Sequence, residues 1–105
     1  MSVSTHVLDA VLGRPAAGMV VQLFEGDQLL AEGVTDADGR FRLADRDTGA
    51  GTHRVVFGTG AWFAEQGRET FYPSVTLEFT VLDPAAHHHV PLLLSPFAFS
   101  TYRGS

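Results

Sequence analysis

Four groups of side chains in this chain are of types that do chemistry. They are His6, Arg40, the run His87-His88-His89, and the closing Tyr102-Arg103-Gly104-Ser105. An imidazole titrates near neutrality, so His6 or His89 can take a proton from water without help from a metal. Arg40 presents a planar fork of donors, suited to recognition of amide or carboxylate edges. Ser105 offers a hydroxyl and a terminal carboxylate that could orient a water or a histidine. This tetrapeptide follows the apolar and aromatic run from His89 to Thr101 with no spacer. We therefore expect the chain to end inside structure, with its last residues forming part of a site. Singly, none of these groups rises above a solvated strand or tail residue. Other chemistries are closed to the chain. It has no Cys, hence no thiolate nucleophile, disulfide or thiolate metal site, and it has no Lys, hence no Schiff base.

The histidine run admits three readings. Alternation along a strand puts His87 and His89 on one face and His88 on the other. Two such histidines could hold zinc if further ligands came from elsewhere, with His6 as the distant candidate. They could equally be surface histidines on an edge strand, or His89 could be a metal-free base. Two other patterns carry nothing. Asp36-x-Asp38-Gly39 begins like a calcium loop but lacks the remaining ligands, and it reads as a hairpin turn. Gly58-Thr-Gly60 begins like a dinucleotide fingerprint, yet Phe63 takes the third glycine position and no βαβ unit surrounds it.

The chain has 105 residues and a net charge of −5. That suits a single domain over residues 1–105. A mildly acidic chain without a basic patch is a poor partner for nucleic acid. The longest apolar run, Val90 to Leu94, is too short to span a bilayer. The N-terminal residues lack a basic region followed by an apolar stretch, so cytoplasm is the default location.

These groups must be positioned by strands. Period-two alternation with turn signals every eight to twelve residues predicts strands at Ser2–Asp9, Met19–Glu25, Leu29–Thr35, Arg40–Leu43, Thr52–Phe57, Val75–Leu82, His87–Leu94 and Phe97–Arg103. Asp45 to Gly51 reads as a polar loop. Gly60–Gly67 is the one helical candidate, two turns at most, with a glycine exit. With no sign of a parallel crossover, the pattern argues an all-β antiparallel sandwich with one short helix. Alternation also puts His89, Pro91 and Leu93 on one face of their strand, and Ser100 and Tyr102 on one face of the next. If those faces adjoin, they form an apolar wall with a few polar groups, as small-ligand sites do. Such a wall on a lone sandwich is open to water, which calls for a neighbouring subunit to cover it.

Taken together, Ser4-Thr-His-Val-Leu-Asp9, Gly13-Arg-Pro-Ala16, Thr35-Asp-Ala-Asp-Gly-Arg40, Arg54-Val-Val-Phe-Gly-Thr-Gly60 and Phe71-Tyr-Pro73 resemble the transthyretin-related family. The strongest part is His87-x-His89-Val-Pro-Leu-Leu-Leu-Ser-Pro96 running to Ser100-Thr-Tyr-Arg-Gly-Ser105. The closing Tyr-Arg-Gly-Ser is similar to the enzymatic branch, the 5-hydroxyisourate hydrolases, and is absent from the hormone-carrying branch. The resemblance implies a transthyretin-like (prealbumin-like) sandwich of two four-stranded sheets. It also implies a homotetramer, a dimer of dimers, with active sites in the channel between dimers. The implied reaction opens 5-hydroxyisourate to 2-oxo-4-hydroxy-4-carboxy-5-ureidoimidazoline in urate catabolism, with no cofactor and no metal.

Carried over by position, the resemblance makes His6, Arg40, His89 and Ser105 catalytic. Tyr102, Arg103 and Gly104 would join His6, Arg40, Pro91 and Leu93 in binding substrate. His88 stands where many relatives carry Tyr, and Phe97 and Phe99 stand where Tyr is common. Rival readings are a non-enzymatic carrier of an apolar aromatic ligand, a structural prealbumin-like module, and a zinc hydrolase using the histidine cluster.

Overall fold

The computed structural model describes residues 2–43 and 49–105. Most of the polar loop expected from Asp45 to Gly51 lies outside the described residues. Among the described residues nine strands and one helix follow in the order β1 (Ser2–Asp9), β2 (Arg14–Pro15), β3 (Val20–Glu25), β4 (Gln28–Val34), β5 (Arg40–Leu43), β6 (Gly51–Phe57), α1 (Thr59–Glu65), β7 (Val75–Val81), β8 (His87–Leu94) and β9 (Phe99–Thr101). One sheet runs β2-β1-β8-β9, with β5 also pairing β1; the other runs β4-β3-β6-β7.

Two features depart from the simple picture of two four-stranded antiparallel sheets. The two-residue β2 makes the first sheet five-stranded, because the turn after β1 folds back and bonds to it. More consequentially, β1 and β8 run parallel, with Ser4 opposite His89 and His6 opposite Pro91. A parallel pair needs a long connection, and everything from β2 to β7 supplies it. No short helical crossover marks the sequence, so alternation alone does not reveal this pairing.

The core lies between the sheets. On β1, Val3, Thr5, Val7 and Asp9 are buried while Ser4, His6 and Leu8 are partly exposed. On β8 the inward set is Val90, Leu92 and Leu94. The opposing sheet contributes Val21, Leu23, Val55, Phe57, Val75, Leu77 and Val81. Burying one such side chain completely contributes about 1.5–3 kcal/mol. Helix α1 closes one end by burying Thr59, Trp62 and Phe63, and the Trp62 indole donates to the Ala17 carbonyl at 2.7 Å. The helix stops as the glycine exit predicts. Gly67 has φ +66°, its amide donates to the Ala64 carbonyl, and the Arg68 amide donates to the Phe63 carbonyl. This is a Schellman stop, which satisfies carbonyls left without helical partners.

The helix exit is then pinned to β1. Arg68 donates to the buried Asp9 carboxylate at 2.6 Å, and its guanidinium lies over the Phe63 ring. Asp9 also accepts the amides of Val11 and Leu12, each at 3.0 Å. Burial works to raise the Asp9 carboxyl. The Arg68 guanidinium and the two amides outweigh it and hold the group below its ordinary value. No helix among the described residues is long and apolar enough to cross a membrane.

Candidate active site

The outward face of the first sheet collects the side chains picked out above. His6 on β1 stands opposite Arg40 on β5, and Ser4 stands opposite Arg42. On the other flank, His6 faces Pro91 and Leu8 faces Leu93. Residues paired directly across strands share a face, so His6, Arg40, His89, Pro91 and Leu93 form one continuous patch.

The Asp36-Ala-Asp-Gly turn sets the His6 and Arg40 geometry. The Asp36 carboxylate accepts the amides of Asp38 and Arg40, each at 2.9 Å. Gly39 has φ +75° and sits where any Cβ would strike the Val7 carbonyl; its own carbonyl accepts the Val7 amide at 2.8 Å. Only glycine meets both demands. The turn is thereby locked onto β1, and the Asp38 carbonyl lies 2.9 Å from His6 Nε2. A carbonyl only accepts, so Nε2 carries the proton and neutral His6 keeps Nδ1 bare.

His89 is held from two sides. Its Nδ1 lies 2.8 Å from the Ser4 hydroxyl. Its carbonyl accepts the Gly104 amide at 3.0 Å, and His89 and Gly104 form an antiparallel bridge. A Cβ on Gly104 would overlap the His89 ring, so the backbone there lies flat against the imidazole. Nε2 is the nitrogen left for the site. Burial first, then the Arg40 guanidinium, then His87 and His6, push the His89 imidazole below its ordinary value; an interaction with Ser4 works the other way. The neutral ring, the form able to accept a proton, is therefore favoured.

The C-terminal segment reaches this patch through Gly104. Ser105 follows it directly and is exposed, not buried. Nothing among the described residues covers it. Tyr102 is also exposed, and with Arg103 it lines a cavity of about 470 Å³ between β7 and the C-terminal segment, along with Phe79 and His88. Arg103 thus borders the space between the sheets as well as the segment that reaches His89.

The expected alternation of the histidine run holds. His87 and His89 both reach the Ser4 hydroxyl, whereas His88 turns the other way to lie 6.1 Å, ring to ring, from Phe79. Among the described residues no three His, Cys, Asp or Glu side chains converge to hold a metal ion. Ser4 and Ser2 join this face without any motif in the sequence that marks them. Alternation does place Ser4 on the His6 face, but nothing local says that β8 will lie alongside in parallel register and set Ser4 between two imidazoles.

The chain is similar over its length to known proteins. A family model described as the HIUase/Transthyretin family matches residues 3–104. A 5-hydroxyisourate hydrolase of Caulobacter vibrioides is 44% identical over 111 residues, covering 97% of this chain and 96% of that protein. The solved structure of Klebsiella pneumoniae 5-hydroxyisourate hydrolase superposes with a TM-score of 0.92 at 40% identity, covering all of both chains. Transthyretin from Sparus aurata superposes with a TM-score of 0.86 at 32% identity, covering 97% of this chain and 95% of that one. The strand order, the outward patch and these matches together establish that the chain belongs to the HIUase/transthyretin family.

Proposed function

We propose that this chain hydrolyses 5-hydroxyisourate to 2-oxo-4-hydroxy-4-carboxy-5-ureidoimidazoline without a cofactor. The observation that carries the reading is the meeting of His6, Arg40 and His89 on one sheet face, with Gly104 bridged to His89, in a chain whose relatives include named hydrolases of that substrate.

The flat substrate lies on the floor made by Pro91 and Leu93, with Arg40 gripping its carbonyl and nitrogen edge. Neutral His89 takes a proton from water through Nε2 as the oxygen attacks a ring carbonyl. Arg40 stabilises the oxyanion, an effect worth about 3–4 kcal/mol per donor in a water-excluded site. The carbon–nitrogen bond then breaks, and the ring nitrogen leaves with a proton. His6, fixed by Asp38, offers a bare Nδ1 to a substrate N–H or to the water, and the Ser105 hydroxyl completes the network. Tyr102, Arg103 and Gly104 hold that end in place.

A homotetramer is part of the same reading. Among the described residues β7 and β9 are edge strands of their sheets, and residues of both line the cavity at one side of the sandwich. Open edges are templates for pairing, so a second copy can extend both sheets there. Two such dimers packed through the His6–Arg40–His89 faces would enclose the patch and exclude water.

The test mixes purified protein with freshly generated urate-oxidase product and follows decay of its near-ultraviolet absorbance. His6→Ala, Arg40→Ala and His89→Ala should each lower turnover at least about tenfold, as loss of a general base or charge stabiliser does, while the assembly stays folded. Wild-type protein that does not outrun spontaneous decay, or near-normal rates in any two variants, would end the assignment.

A further inference from the structure

We propose that Ser4 and His87 are positioning residues that relay protons between His89 and the solvent-facing edge of the sheet at Ser2. The inference rests on the hydrolase reading above and deepens it.

The geometry is a four-membered chain. Ser2 Oγ lies 2.5 Å from His87 Nδ1, Ser4 Oγ lies 2.8 Å from His87 Nε2, and the same Ser4 Oγ lies 2.8 Å from His89 Nδ1. The parallel register builds it, setting Ser2 opposite His87 and Ser4 opposite His89 with all four on the outward face. One hydroxyl has one proton. Ser4 therefore donates to one ring nitrogen and accepts from the other, and the tautomers of His87 and His89 are coupled.

With both rings neutral, only two arrangements satisfy every contact. In the first, His89 Nδ1–H donates to Ser4, Ser4 donates to His87 Nε2, and His87 Nδ1–H donates to Ser2; His89 Nε2 is then bare and can act as base. In the second, every proton has moved one place, and His89 presents Nε2–H as an acid. The reaction needs both. As His89 Nε2 takes a proton from water, its Nδ1 proton passes to Ser4, the Ser4 proton to His87 Nε2, the His87 Nδ1 proton to Ser2, and the Ser2 proton to solvent. When His89 Nε2–H protonates the leaving ring nitrogen, the chain runs back and takes one proton from solvent. The net result moves one proton of the attacking water to the leaving nitrogen, and both rings stay neutral.

Neutrality is the physical reason for such a chain. Among the described residues the side chains facing the two imidazoles are cationic or neutral. They are Arg40 and Arg42 from β5 and His6 from β1, with Tyr102 and Arg103 on the segment that pairs His89 through Gly104 and carries the Ser105 carboxylate beyond it. A proton kept on His89 would create an imidazolium in that company. Passing the opposite proton along avoids it.

The experiment uses the full chain and hydroxyisourate decay, with imidazole buffer varied at fixed pH and ionic strength. Wild type should be indifferent to buffer concentration. Ser4→Ala and His87→Gln should each lose about tenfold in kcat at low buffer with KM little changed, a fraction of the usual general acid–base effect. Added imidazole should restore the rate progressively, and Ser4→Thr, which keeps the hydroxyl, should remain near wild type. A purely structural role for Ser4 predicts a loss that buffer does not repair, and that result would overturn the relay. Retention of kcat within about twofold in both variants would overturn it too. Either outcome with an active wild type leaves the hydrolase reading standing; an inactive wild type removes both.

Discussion

Gly104→Ala separates the site from the fold. The Gly104 backbone lies so close to the His89 ring that a new methyl would overlap it. Either the chain end lifts or the ring turns. Lifting breaks the bond from the Gly104 amide to the His89 carbonyl, 3.0 Å long at the sheet edge, and one such bond contributes about 1 kcal/mol. For a chain of this size that is a fall of roughly 4–8 °C in Tm. Turning the ring breaks its 2.8 Å contact with Ser4 at similar expense to stability. Activity should suffer far more, because either movement shifts Nε2 or the Ser105 hydroxyl by about 1 Å, enough to cost on the order of a hundredfold in rate. The assay pairs thermal unfolding with kcat and KM for hydroxyisourate. A kcat within about twofold of wild type, with the modest Tm loss present, would refute the reasoning, since it would mean that neither the ring pose nor the chain end matters to turnover.

Four further outcomes are expected. Arg68→Met leaves Asp9, 1% exposed, without its cation; unfolding by urea should show a loss near 3 kcal/mol, the low end for breaking a buried pair because Arg68 is partly exposed. The Asp9 carboxyl is held below its ordinary value, so its contribution is complete above the unfolded pKa, near 4, and drains away as pH falls through the folded one; Asp9→Asn should flatten that part of the acid-unfolding curve. His89 is pushed down by burial and Arg40, so kcat/KM should be level near neutrality and fall only as pH drops through a value below about 6.5, and Arg40→Gln should move that limb upward. Residues appended after Ser105 should impair turnover more than residues added before Met1, because Gly104 pairs with His89; equal tolerance at both ends would count against a role for that segment.

Most strands were legible because one face of each is buried and period two survives in the sequence. Ser2–Asp9, Arg40–Leu43 and His87–Leu94 were expected with the ends they have. The Asp-Gly turn before Arg40 was legible for a local reason, since the Asp36 carboxylate and the φ of Gly39 depend on residues four apart. Ser4 was not. Its side chain is ordinary until β8, more than eighty residues away, brings two imidazoles to it. The exposure of Ser105 was also not legible, because its cover would have to come from another copy.

By itself the sequence determined the inventory and the local geometry. It supplies imidazole, guanidinium and hydroxyl groups but no thiol or Lys, each on a strand whose alternation says which neighbours share its face. Only the tertiary structure decided that β1 runs between β5 and β8, antiparallel to one and parallel to the other. Alternation is a property of a single strand, whereas register is a property of a pair. It is register that sets His6 against Arg40 and Ser4 against His89.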